Sequence, residues 1–344
     1  MSEAQTRFVR GGVSVAALCA LALGVGYLVS ESVAPVYADA RTRAALFDAA
    51  APDVEAVSVG NSHSLALDFD ALGVDGFHLW WPGGDVFEAE RAVEEAVERA
   101  PGLDLVFVTV SPFVVDNGVV GTVEPGRGDL RRKTYVEYGD YSPLRSDWKL
   151  AAQAALAPVV RPDNWAGVAA AWGGRSDTSH IEPDGAPIAP VRGHLPIDDT
   201  ERVGQRRAER HRALEDESLE RNPGLCDDTA RAYEAIAAAA RERGVRVVLY
   251  TPAYTTSYAH AVYGTGDRCA TRQMAARVAE RFSNVDYFDF SQDEALSAPV
   301  YFRDADHMNV DGARAFSRRF RAALAGVPQQ TSQTSAGAAA GAKP

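Results

Sequence analysis

Two runs that are apolar at nearly every position, Leu103–Val110 (LDLVFVTV) and Val245–Thr251 (VRVVLYT), constrain this chain most. A strand without a polar face has no side to turn to water, so it belongs inside a parallel sheet covered by helices on both faces. Three further runs, Val54–Gly60, Phe77–Trp81 and Val285–Phe290, read the same way. Between them lie helical periodicities. In Val86–Ala100, Phe87, Ala92, Val93, Ala96, Val97 and Ala100 recur at three- and four-residue steps. Asp228–Arg243 is alanine-rich and stops at Gly244, and Ala270–Phe282 and Asp311–Ala325 complete the set. Strands alternating with helices at these lengths predict an α/β fold with a doubly wound, five-stranded parallel sheet.

One stretch departs from the alternation. Residues 113–222 show no strand–helix pattern and are too long for an ordinary loop, so they read as an insertion after the third strand, over the carboxyl edge of the sheet. The insertion carries Trp148, Trp165 and Trp172, and Tyr135, Tyr138 and Tyr141, with Arg131 and Arg132 nearby. These aromatics serve either as a small core of their own or as stacking faces for sugar rings, with the arginines placed for uronate carboxylates. Arg202–Glu220 is rich in charges of both signs and reads as a solvated helix rather than a binding site. His180 and His194 have acidic neighbours in Asp177, Glu182 and Asp184, but their Pro/Gly-rich context does not read as a metal site. No cofactor is expected.

The amino terminus sets the compartment. Gly11–Ser30 is a run of 20 residues without a charge, preceded by Arg7 and Arg10. That length spans a bilayer, and the arginines place residues 1–10 in the cytoplasm. The expectation is a retained signal anchor at 11–30, a linker at 31–50, an extracytoplasmic domain at 51–327 and a disordered tail at 328–344. A cleaved signal peptide is the competing reading, since Ala38-Asp39-Ala40 has the small-x-small form. The net charge of -12 argues against nucleic acid as a partner. Outside the membrane segment the cysteines are Cys226 and Cys269, which in an oxidising compartment form one disulfide, or else stay two buried thiols.

Two short motifs carry chemistry. Gly60-Asn61-Ser62-His63 ends the first strand, at the sheet edge where open α/β folds bind ligands, and opens a helix expected over Ser64–Leu72. Serine there has its own N–H and a helix start beside any developing anion, but needs a base to become a nucleophile. Asp304-Ala305-Asp306-His307 precedes the last helix. An Asp three residues before a His lets a carboxylate orient Nδ1–H while Nε2 faces a hydroxyl, as a Ser-His-Asp triad requires. Asp306 is the other candidate for the orienting acid, but as the residue adjacent to His307 it is expected to face another side. Each motif alone also has a bland reading as a helix cap.

Together, a first-strand G-x-S and a D-x-x-H before the last helix resemble the SGNH/GDSL hydrolase family over Val54–Phe113 and Gly224–Leu324. The resemblance implies a flavodoxin-like sheet with Ser62 as nucleophile, His307 as base and Asp304 as orienting acid. It implies an oxyanion hole from Ser62 and from Gly84 of Pro82-Gly83-Gly84. The family's Gly-Asp-Ser is Gly-Asn-Ser here, and its third-block Gly-x-Asn-Asp is replaced by Ser111-Pro112-Phe113. Ser111 is therefore the side-chain oxyanion donor, or none exists. These departures resemble the SGNH-like proteins of exopolysaccharide O-acetylation, the alginate type among them, which act on acylated glycans, often beside a membrane-bound O-acyltransferase. The expected function is an extracytoplasmic ester hydrolase or O-acetyltransferase. The rival is a non-catalytic accessory protein that binds glycan or the acyltransferase. His63 offers a contact to the acyl oxygen or substrate, or only a cap. Thr251-Pro252-Ala253-Tyr254 leaves the fourth strand at the same edge.

Overall fold

The computed structural model describes residues 17–22, 24, 25, 43, 45–80, 83–115, 200–264 and 266–326. Its five strands are β1 (Ala56–Gly60), β2 (Gly76–Trp80), β3 (Leu105–Thr109), β4 (Arg246–Thr251) and β5 (Val285–Asp289). They form one sheet in the order β2-β1-β3-β4-β5, every pair parallel. Both faces are apolar, as the unbroken runs require. Val57, Val59, Val106, Val108, Val247 and Leu249 point to one core. Their alternating neighbours Ala56, Phe107, Val248 and Tyr250 point to a second.

Helices cover each face. α1 (Phe69–Leu72) precedes β2, and α2 (Val86–Arg99) precedes β3. Then come α3 (Thr200–Arg221), α4 (Leu225–Glu242), α5 (Thr256–Tyr263), α6 (Thr271–Arg281) and α7 (Val310–Ala325). α2, α4 and α6 pack on the first core through Ala92, Ile236 and Met274, and α1 and α7 on the second through Phe69, Phe316 and Phe320. α2 starts with a reciprocal cap: Glu88 N–H donates to Asp85 Oδ1 at 2.9 Å and Asp85 N–H to Glu88 Oε2 at 3.0 Å. After α4, Gly244 takes φ +74°, the left-handed stop that its position in the sequence suggests.

Three local expectations change. The helix expected over Ser64–Leu72 is broken into a 3₁₀ turn, Ser62–Ala66, and the short α1. Asp68 causes the break: its extended backbone caps α1 by accepting from Ala71 N–H at 2.8 Å, while its own N–H donates to Ser317 Oγ at 2.7 Å. The stretch expected as a linker ends in helical residues 45–50, with Phe47 buried against Phe77. Most changed is Arg202–Glu220, which lies inside α3 and is solvated on only part of its surface. Gly204, Ala208, Glu215 and Ser218 are buried along one stripe of it, and α3 packs along α5. A Cβ at Gly204 would lie 2.8 Å from the Tyr258 amide nitrogen, so glycine permits the close approach.

Cys226 and Cys269 are joined by a disulfide, Cα–Cα 5.2 Å, tying the start of α4 to the loop before α6. Within 11–30, residues 17–22, 24 and 25 are helical, and Leu18, Leu21 and Val25 are exposed. Among the described residues no helix is long and apolar enough to cross a membrane. The rest of that segment, the tail at 328–344, and the insertion's Trp148, Trp165, Trp172, Tyr135, Tyr138, Tyr141, Arg131, Arg132, His180 and His194 lie outside the described residues.

Candidate active site

The strand order reverses direction between β1 and β3, and the crevice beyond their carboxyl ends is where doubly wound sheets hold ligands. Gly60 leaves β1 at φ +124°, with Thr109 of β3 so near that a Cβ would sit 3.1 Å from its hydroxyl. Asn61 then caps the 3₁₀ turn by accepting from His63 N–H at 2.9 Å, and Ser64 Oγ–H donates to Asn61 O at 2.8 Å. These bonds fix Ser62 at the crevice.

The loop before α7 comes to meet it. Asn309, the α7 N-cap, accepts from Gly312 N–H at 2.9 Å and donates through Nδ2 to Val300 O at 2.7 Å. Arg303 N–H donates to His307 O at 3.1 Å, and Thr255 Oγ–H to Ala305 O at 2.7 Å. Held in this way, His307 places Nε2 2.7 Å from Ser62 Oγ. Its Nδ1 lies 2.9 Å and 3.0 Å from the two oxygens of Asp304, whose Oδ1 also accepts His307 N–H at 2.9 Å. The geometry is that of a hydroxyl, an imidazole and a carboxylate in series.

Asp306 does not face away. Its side chain is 0% exposed, and its oxygens lie 3.4 Å from His307 Nδ1, 3.3 Å from His63 Nε2 and 3.1 Å from Arg207 Nε. Ala305, between the two acids, is buried among the same apolar side chains as Tyr258 and Ala259 of α5. His63 is buried as well: its ring sits 4.9 Å from that of His307 and 5.4 Å from that of Tyr254. From α3 come Arg207 and His211, with His211 Nδ1 2.7 Å from Tyr258 Oη and 3.8 Å from Asp306.

Sequence reasoning missed Arg207 and His211 because a mixed-charge run is usually a wet face. A signal for His211 was present: Gly204, Ala208, His211, Glu215 and Ser218 fall at steps of four, three, four and three, a helical stripe of mostly small residues, and Arg207 lies one position off it. Gly84 and Ser111 line the same cavity as Ser62 and His307, and Gly83 takes φ +69° to turn the backbone there. That cavity, about 150 Å³, continues past Val86, Ala89, Val108, Val114, Leu214 and Tyr233 toward the first core.

The electrostatics follow from burial against pairing. Burial works against the charged form of His307, but hydrogen bonding and attraction from Asp304 and Asp306 outweigh it and raise its pKa to about 9. Asp304 and Asp306 are correspondingly lowered, against burial, by the hydrogen bond to His307, Asp306 the more strongly. Burial lowers His63 despite Asp306, and lowers His211 to about 3. His63, His307 and Asp306 present ligand-type atoms within 4.8 Å of one another. Both His307 nitrogens and His63 Nε2 are already engaged, however, and Arg207 supplies the positive charge beside Asp306, so this donor set does not favour a metal ion.

The sequence matches no protein-family model, and no curated protein is significantly similar to it.

Proposed function

We propose that this chain is an SGNH-type ester hydrolase or O-acyltransferase that works through an acyl-Ser62 intermediate. The observation that carries the reading is the hydrogen-bonded series Ser62–His307–Asp304 at the carboxyl end of β1, with spacings of 2.7 Å and 2.9 Å. In the reaction, Ser62 Oγ attacks the ester carbonyl carbon while its proton passes to His307 Nε2. The oxyanion takes hydrogen bonds from the backbone N–H of Ser62 and Gly84, each worth roughly 3 kcal/mol in comparable sites, with Ser111 as a further donor. Collapse of the adduct breaks the ester C–O bond, and His307 returns the proton to the leaving alcohol. Water then releases the acid, or a sugar hydroxyl takes the acyl group, by the same steps in reverse.

An acylated glycan of the envelope is the substrate class in this reading, and a membrane-bound O-acyltransferase its partner. The uncharged segment Gly11–Ser30 and the Cys226–Cys269 disulfide support an anchored, extracytoplasmic protein. The cavity supports a short acyl group. An engineered apolar cavity of about 150 Å³ holds benzene, so the cavity here, of about 150 Å³ and lined in part by Val86, Ala89, Val108 and Val114, has room for a short acyl chain. A series of p-nitrophenyl esters tests this: acetate and butyrate are turned over, and octanoate falls by about tenfold or more, a loss of about 1.4 kcal/mol or more in transition-state binding. Octanoate turned over as fast as acetate contradicts the cavity's role.

Two observations favour a non-catalytic binding protein instead. His307 with a pKa of about 9 carries its proton at neutral pH, the form that accepts none, and the third strand ends in Ser111 rather than asparagine. No hydrolysis of any ester at pH 9 by correctly folded protein selects that reading.

A further inference from the structure

Asp306 is the most enclosed charge at the site, and its partners come from three separate parts of the chain. His307 is on its own loop, His63 follows β1, and Arg207 lies 99 residues upstream on α3. Asp304 is unlike it: its side chain is 41% exposed, so water screens it, whereas nothing screens the 0% exposed Asp306 except the groups packed on it. Arg207 contacts both Asp306 oxygens, Nε lying 3.1 Å from Oδ1 and 3.4 Å from Oδ2.

We infer that Arg207 is a positioning residue: by pairing with Asp306 it fixes the direction of the His307 ring and offsets one of the two negative charges that face it, so that α3 completes the general base. The inference rests on Ser62 and His307 acting as nucleophile and base. It gives the helix at the end of the insertion a task, since among the described residues before β4 only those on the β1 turn and α3 reach Asp306 with a polar atom.

The direction of each effect follows from charge. Arg207→Gln leaves Asp306 uncompensated beside the imidazole, which then holds its proton more tightly. Asp306→Asn removes that negative charge, and the imidazole releases its proton more readily. Arg207→Lys keeps the charge and lies near wild type. A side chain that only fills space moves neither value, and opposite signs for the two neutral variants have no packing explanation.

The surroundings leave His307 as the group that reports between pH 6.5 and 10. On its loop, Asp304 and Asp306 titrate in acid. On the β1 turn His63 is lowered, and on α3 His211 lies near 3 while Arg207 is raised despite burial. From the loop after β4 and from α5, Tyr254 and Tyr258 are pushed well above 10 by burial. Arg303, with Nε 3.7 Å from Asp304 Oδ2, completes the charged groups on the loop.

The test is two measurements on the full chain in detergent: NMR titration of the His307 ring, and the pH profile of kcat/KM for p-nitrophenyl acetate. Wild type titrates near 9. Arg207→Gln moves the NMR midpoint and the kinetic limb together, upward by about one unit, and Asp306→Asn moves both downward by about one unit or more. Arg207→Gln with an unmoved His307 midpoint overturns the inference, as does a shift of the same sign in both variants. If Arg207→Gln does not fold, Arg207→Lys and Asp306→Asn decide: a wild-type midpoint in Asp306→Asn overturns it. If wild type turns over no ester, the proposed function fails while the NMR midpoints still decide the role of Arg207.

Discussion

Replacing Ser62 with alanine is expected to remove nearly all ester turnover, a loss on the order of 10⁴-fold or more, with the fold intact. The size follows from the position of the hydroxyl. Ser62 Oγ is 2.7 Å from His307 Nε2, and among the described residues no other side-chain hydroxyl hydrogen-bonds to that nitrogen. His307→Ala is expected to lose a similar amount, because the serine proton then has no acceptor. The double variant should lose no more than either single one, since nucleophile and base act as a unit. Steady-state rates at pH 9 for the three variants check this. Losses that multiply would mean that the two residues act separately, and the triad reading would then be wrong.

The second large effect is on stability against pH, which should fall as pH rises from 6.5 to about 9. His307 is raised to about 9 in the fold from an unfolded value of 6.5. The folded protein therefore binds a proton that the unfolded chain releases above 6.5. The stabilisation is complete below 6.5 and is lost as pH rises through 9, at up to about 1.4 kcal/mol per pH unit. His211 works in the opposite sense. It is lowered to about 3, so below 6.5 the unfolded chain binds the extra proton and stability falls with falling pH. His63, lowered by burial, adds to that acid limb, while Glu90 and Glu215, raised by burial to about 7, oppose it between 4.5 and 7. Asp304 and Asp306 extend it below about 3.8, where the unfolded carboxylates protonate first. Urea unfolding at half-unit pH steps measures the curve. His307→Ala should flatten the alkaline limb between 6.5 and 9 and leave the acid limb in place. A wild-type curve that rises through that window contradicts the charge assignment.

Much of the fold was legible in the sequence because parallel strands buried on both faces leave no polar alternation to mistake. Leu105–Thr109 and Arg246–Thr251 lie inside the runs that first suggested them. Gly244 marked the end of a helix for a conformational reason that one residue carries alone. The Ser62–His307–Asp304 series was legible for a similar reason, since the i, i+3 spacing of Asp304 and His307 is a local constraint on what the carboxylate can reach. Asp306 was misjudged because side-chain direction in an irregular loop depends on tertiary contacts: burial of Ala305 and the Thr255 hydroxyl bond to its carbonyl decide which way the loop turns. Arg207 and His211 were missed because charge count outweighed periodicity in reading α3. A charged helix can bury one stripe while the rest stays wet, and here that stripe bears on the site.

The central claim is a covalent intermediate on one serine. The most direct measurement is peptide mass mapping after the full chain is exposed to p-nitrophenyl acetate at pH 9 and quenched in acid. The account predicts one acetyl group on the peptide that contains Ser62, absent in Ser62→Ala and absent after labelling of His307→Ala for the same time. A Ser62 peptide without acetyl in protein that is turning over the ester, or equal labelling of that peptide in His307→Ala, would contradict it.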